Sequence, residues 1–245
     1  MKYMGSKNRI VDEILPIMLE NYDGNVFVDV FCGGCSVIQN VPRKYTRIAN
    51  DKQKYLISMW LELTTNGHEN MPKRIERDFY CKVRDSYNTE DMRFSNPIKG
   101  WVGFMGSYNG RFFDGGYSGH NVIGKNGKAR DYITENINNT ISQIDDLQGV
   151  LFRWGDYEEL TDSVPPHSLI YCDPPYKGTK QYSTSKNFDY ERFYDWCRLM
   201  TNKGHKVFVS EYYMPEDFKC IWSKEITNAM HQTNTKKPVE KLFTI

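Results

Sequence analysis

The sequence contains no apolar run approaching the ~20 residues that a membrane-spanning helix needs. Its longest, such as Val26-Phe27-Val28 and Val207-Phe208-Val209, are strand-sized. The opening residues, Met1-Lys2-Tyr3-Met4-Gly5-Ser6-Lys7, lack the apolar core of a secretory signal, so a cytoplasmic location is expected. Cys32 and Cys35 form a Cys-x-x-Cys, but Cys81, Cys172, Cys197 and Cys220 supply no second pair, and the five histidines show no ligand spacing. A metal centre is therefore not expected, nor are disulfides in the cytosol. A cysteine beside glycines reads instead as a small apolar residue in a tight turn. No Gly-x-Gly-x-x-Gly is present, which disfavours a dinucleotide oxidoreductase. Repeats and low-complexity segments are absent as well. The formal net charge of +1 does not announce a nucleic-acid partner.

What is present is 245 residues, 39% hydrophobic and 26% charged, enough for one catalytic domain with an inserted lobe. Residues 7–20 carry Ile10, Val11, Ile14, Leu15 and Met18 at helical spacing. Residues 26–31 read as a buried strand running into Gly33-Gly34, 47–49 as a second short strand ending at Asn50-Asp51, and 54–63 as a helix. This is the strand–turn–helix alternation that builds a parallel sheet. From about 67 to 148 it breaks down. Helices are expected near 74–87 and 132–147. Between them the glycine- and aromatic-rich stretches 100–106 and 108–117 suggest structured loops. Alternation resumes with strands at 150–153 and 168–172, a helix at 188–201, a strand at 206–210 and a final edge strand at 242–245. Charge is uneven: between Arg93 and Arg130 six basic residues face a single acid, Asp114.

Asp173-Pro174-Pro175-Tyr176 follows an apolar strand, where open α/β sheets place their ligands. Two prolines fix φ twice and remove two backbone donors. An aromatic amine is a poor nucleophile because its lone pair is delocalised. The Asp173 carboxylate and the Pro174 carbonyl can accept its two hydrogens, pull the nitrogen toward tetrahedral geometry and free that lone pair. Tyr176 can stack on the base. The alternative is a proline-stiffened turn with Asp173 as a helix cap. The turn after the first strand, Val28-Asp29-Val30-Phe31-Cys32-Gly33-Gly34-Cys35-Ser36, lets a ligand approach the backbone. Asp51 and Asp156 each end a strand, where an acid can hold a ribose or cap the next helix.

Taken together these segments resemble the Dam-type (alpha-group, D12 class) family of adenine-specific DNA methyltransferases. Lys2-Tyr3-Met4-Gly5-Ser6-Lys7 resembles its opening motif, Phe31-Cys32-Gly33-Gly34-Cys35-Ser36-Val37 its cofactor loop, and Asn50-Asp51 its ribose motif. Asp173-Pro174-Pro175-Tyr176 matches its catalytic motif, and Lys237-Pro238-Val239-Glu240-Lys241-Leu242 resembles its closing segment. The resemblance implies an α/β fold: a Rossmann-like methyltransferase sheet formed by residues 1–60 and 149–245, with an inserted, mostly helical target-recognition lobe at 61–148. It implies S-adenosyl-L-methionine as cofactor, held by Tyr3, Lys7, Asp29, Phe31, Gly33, Gly34, Ser36, Asp51, Asp156 and Asp173. Asp173, Pro174, Pro175 and Tyr176 become catalytic, acting on an adenine flipped out of duplex DNA. Asn109, Arg111, Lys125, Lys128 and Arg130 become DNA contacts. The implied setting is a bacterial or phage-infected cell, the implied state a monomer or weak dimer, with a cognate restriction endonuclease acting separately. Asn109-Gly110-Arg111 resembles part of the loop used by GATC-reading members, whereas residues 112–117 do not, so no target sequence is assigned. RNA adenine, cytosine amino groups and a catalytically silent DNA-binding relative remain alternatives.

Overall fold

The computed structural model describes residues 1–123, 127–178, 187–226 and 239–245. Helix α1 (Val11–Leu19) precedes strand β1 (Val26–Asp29), strand β2 (Thr46–Asp51) and helix α2 (Lys54–Asn66). Three further helices follow, α3 (Arg77–Asn88), α4 (Asn96–Gly106) and α5 (Tyr132–Ile141), with a small hairpin of β3 (Val122–Ile123) and β4 (Ala129–Arg130) between the last two. The chain then returns through β5 (Leu151–Trp154), β6 (Leu169–Cys172), α6 (Tyr190–Asn202), β7 (Lys206–Ser210), β8 (Lys219–Glu225) and β9 (Val239–Thr244).

The main sheet runs β5-β2-β1-β6-β7-β9-β8. Its first five strands are parallel, while β9 is antiparallel to both β7 and β8. Strand order therefore reverses at β1, and the crevice outside the carboxyl ends of β1 and β6 is the position where such sheets bind ligands. Both strands are buried on both faces, as central parallel strands are. Alternation divides them between two cores. Phe27, Leu169 and Tyr171 join the core with α1, α2 and the middle helices. Val26, Val28, Ile170 and Cys172 pack with Phe193, Trp196 and Met200 of α6 on the other face.

Two expectations are corrected here. Residues 100–106 lie in helix α4 rather than in loops, and every residue from Lys99 to Gly106 is buried. Its glycines are packing devices: a Cβ on Gly100 would lie 2.1 Å from the Tyr55 carbonyl oxygen of α2, and one on Gly103 would lie 2.4 Å from the Phe112 ring. The terminal strand is not an edge strand. It is β9, paired on both sides, and the edge is β8, whose largely exposed pattern carries no apolar signal.

Candidate active site

Asp173 leaves the end of β6 into the crevice, and its Oδ1 lies 2.8 Å from Nζ of Lys7. The lysine is 5% exposed, so this is an ion pair largely withdrawn from water. Lys7 is held at three further points. Its backbone N–H donates to Ser36 Oγ (3.0 Å), its Nζ donates to the Gly5 carbonyl (3.1 Å), and the same Nζ lies 4.8 Å from the Tyr176 ring centroid. The N-terminal segment, the glycine-rich turn and the Asp-Pro-Pro-Tyr turn thus meet at Lys7. Burial pushes the Asp173 carboxyl up from its ordinary 3.8 to about 6, against the opposing pull of Lys7.

The glycine-rich turn is shaped by Tyr3. Gly33 adopts φ +47°, and a Cβ there would lie 2.6 Å from the Tyr3 ring; one on Gly34 would lie 2.6 Å from Tyr3 Cβ. Gly33 N–H donates to Asp51 Oδ2 (3.0 Å), while Gln53 N–H donates to Asp51 Oδ1 (2.8 Å). Asp51 is raised by burial. Asp29, at the end of β1, is raised well above the carboxylate range by burial and then by the charges of Asp173 and Asp51. Its buried Oδ1 has no hydrogen-bond partner among the described residues. The crevice therefore gathers the buried Asp29 and the half-buried Asp51 and Asp173, the last paired with the buried Lys7 ammonium. It suits a ligand that brings positive charge and hydroxyl donors.

Other expected residues sit nearby in different roles. Phe31 packs among Tyr157, Phe188 and Phe193, with ring centroids 5.8–6.0 Å apart. Asp156 caps the turn at Tyr157–Leu160 through a reciprocal bond with Glu159 and pairs with Lys52 at 2.8 Å. That is the capping alternative read in the sequence. Cys32 and Cys35 are buried and raised by that burial, so both thiols stay protonated and unreactive. Among the described residues no cluster of potential metal ligands occurs.

Sequence reasoning missed three residues. Asn50 donates through Nδ2 to the carbonyls of Val30 and Gly155, both at 3.1 Å, and so joins the ends of β1 and β5. Glu240 accepts the Tyr176 hydroxyl at 2.6 Å. Glu211 accepts the backbone N–H of Lys177 at 3.0 Å and of Tyr212 at 2.6 Å, and burial pushes it to about 7. A polar residue just past, or inside, an apolar strand was the available signal.

The structure brings two of the expected DNA contacts together. Asn109, at φ +54°, and Arg130 line a cavity of 260 Å³ with Lys2, Ser107, Tyr108 and Tyr132. Arg111 pairs with Asp114 inside its own loop, and Arg130 makes a two-point contact with Glu135 at 2.7 and 2.8 Å. Lys128 is exposed on the β3–β4 hairpin, and Lys125 lies outside the described residues. Lys99, counted in the basic stretch, is buried and donates to the carbonyls of Ser86 and Asp91. A Cβ on Gly110 would lie 2.1 Å from the Lys2 carbonyl oxygen, so this loop rests directly on the N-terminal segment.

The profile of the D12 class N6 adenine-specific DNA methyltransferase family matches residues 3–239. The modification methylase StsI of Streptococcus sanguinis is 30% identical over 218 residues, which cover 80% of this chain and 31% of that protein. The type II methyltransferase M.MjaIII of Methanocaldococcus jannaschii is 24% identical over 91% of this chain and 86% of its own length. Among solved structures, an rRNA methyltransferase, aviRa from Streptomyces viridochromogenes, covers 97% of this chain and 84% of its own, at 10% identity and a TM-score of 0.41. The chain thus spans about a third of StsI and most of M.MjaIII.

Proposed function

We propose a function from one premise: this chain belongs to the D12 class N6 adenine-specific DNA methyltransferase family. It moves a methyl group from S-adenosyl-L-methionine to the exocyclic amino group of an adenine in duplex DNA. The observation that carries this reading is the pairing of Asp173 with Lys7 at 2.8 Å, at the point where strand order reverses.

When bound, S-adenosylmethionine supplies an electrophilic methyl group on a sulfonium centre. The side chains and backbone around Tyr3, Lys7, Asp29, Phe31, Gly33, Gly34 and Ser36 would hold it. Asp51 would take the ribose hydroxyls through the carboxylate that already accepts Gly33 N–H. Asp156 would lie toward its adenine. The Asp51 and Asp173 carboxyls beside the single Lys7 ammonium support a cationic donor there.

Asp173 and the Pro174 carbonyl receive the two amino hydrogens of a flipped adenine. Neither Pro174 nor Pro175 has an N–H to compete for these acceptors. Lys7 keeps Asp173 ionised near neutrality, so the carboxylate arrives as an acceptor rather than a donor. Tyr176 stacks on the base, and the orientation of these groups does most of the catalysis. Asn109, Arg111, Lys125, Lys128 and Arg130 contact DNA from the 61–148 lobe. The protein acts in the cytoplasm as a monomer or weak dimer, and any cognate endonuclease acts separately.

The test is Asp173→Ala. Calorimetry with S-adenosylmethionine is expected to give binding within about threefold of the unchanged protein. Single-molecule sequencing of treated, unmethylated genomic DNA is expected to show no modified adenine, where the unchanged protein marks one motif. Loss of donor binding in step with methylation would overturn this division of labour. No mark from the unchanged protein, with donor binding intact, would point to RNA or to a silent DNA-binding relative.

A further inference from the structure

Glu240 lies on β9, in the part of the chain farthest in sequence from the glycine-rich turn, and it is buried. Strand alternation puts it on the same face as Leu242, which belongs to the apolar core beneath α1 and α2. A carboxylate in such a position is costly unless it is hydrogen-bonded. An apolar residue would fill the space without that cost, so packing alone does not account for the acid. Its bond is to the Tyr176 hydroxyl, which donates to Glu240 Oε2 at 2.6 Å.

The Tyr176 ring is then fixed from three directions. Its hydroxyl is tied to β9, its face lies 4.8 Å from the Lys7 ammonium, and its edge meets Tyr212 with centroids 4.7 Å apart and planes at 83°. A second buried glutamate works on the next residue of the same turn: Glu211, just past β7, accepts the Lys177 N–H. The antiparallel pair β7–β9 thus supplies two carboxylates that grip the turn after Asp173 from behind. A phenol that donates to a carboxylate also carries more electron density on its ring, which strengthens its attraction for the cation on its face.

We propose that Glu240 is a positioning residue for methyl transfer, fixing the tilt of the Tyr176 ring through its hydroxyl so that the flipped base meets a preset stacking face beside Lys7 and Asp173. This rests on the function proposed above. The base gains most from a ring that needs no reorientation when it arrives. Nothing in the role requires Glu240 to touch donor or base, so its effect is confined to the transfer step.

The experiment combines Glu240→Gln, Glu240→Ala, Tyr176→Phe and the Glu240→Ala/Tyr176→Phe double variant of the full chain. Single-turnover methylation of unmethylated genomic DNA is measured with labelled S-adenosylmethionine, and donor affinity by calorimetry. Glu240→Ala is expected to slow transfer about 10- to 100-fold with donor affinity held within about twofold. The double variant should be no slower than about threefold below Tyr176→Phe alone, because both substitutions remove the same bond. Glu240→Gln keeps a neutral acceptor, so it should recover part of the rate and guards against a misfolded Ala variant. Additive losses, or donor affinity falling in step with rate, would overturn the proposal. A fluorine spectrum of protein carrying 3-fluorotyrosine separates the two readings. Its Tyr176 resonance, assigned by the Phe variant, should shift in Glu240→Gln whether or not DNA is methylated. An unmoved resonance would overturn the proposal, while a shifted one in a protein without activity would refute the methyltransferase reading alone.

Discussion

The chemistry of Asp173 depends on two neighbours of opposite sign. Burial raises its carboxyl to about 6, Lys7 pulls it down, and Glu240 pushes it up. In the proposed mechanism only the ionised form accepts the amino hydrogens, so kcat/KM is expected to fall tenfold per pH unit below about 6 and to level off above it. Replacing Lys7 with Met removes the one opposing cation. The carboxyl then rises, and the acid limb of the profile moves to higher pH. Rates across pH 5–9 for both proteins check this, and an unmoved limb would mean that another group titrates. The pairing itself was only half legible in the sequence. Lys7 and Asp173 were each marked by a resemblance, but their contact joins residues far apart in the sequence. The three residues that were missed, Asn50, Glu211 and Glu240, act on backbone carbonyls, a backbone N–H and a hydroxyl. Such partners leave no pattern in a linear chain.

At the scale of elements, the parallel strands were legible because a strand buried on both faces is a short unbroken apolar run between turns. Val26–Asp29, Leu169–Cys172 and Lys206–Ser210 are all of this kind. Strand β8 was not legible because its side chains are mostly exposed and its partnering comes from β9. Helix α4 was misread because glycine signals a turn locally, whereas Gly100 and Gly103 here permit close approach to α2 and to the Phe112 ring. That account has a direct consequence. In Gly100→Val the new side chain meets the Tyr55 carbonyl oxygen, a backbone atom that cannot rotate away. The substitution is expected to cost about 2–4 kcal/mol, read from a urea transition, despite the better helix propensity of valine. A loss below about 0.5 kcal/mol would show that α4 and α2 can separate freely.

At the scale of the whole molecule, the N-terminal segment touches both the glycine-rich turn and the loop at 108–110. Tyr3 lies against Gly33 and Gly34 of the glycine-rich turn. One residue earlier, the Lys2 carbonyl lies against Gly110 of the loop expected to meet DNA, and Lys2 N–H donates to Asn136 of α5 at 2.7 Å. Lys7 then carries the same segment to Asp173. A donor that orders the Tyr3 end also orders the Lys2 end, and hence the platform beneath residues 108–110. The two ligands are therefore expected to bind cooperatively, and linkage requires the factor to be equal in both directions. S-adenosylmethionine should tighten duplex DNA by about fivefold or more, and saturating DNA should tighten the donor by the same factor. Gly110 has φ +64° and no room for a side chain, so Gly110→Ala must lift the loop from Lys2. That variant should bind each ligand singly nearly as before while the coupling factor falls toward one. If coupling survives it, the two sites communicate by a route other than the N-terminal segment. If coupling is absent from the unchanged protein, the shared segment is a scaffold whose two ends act independently.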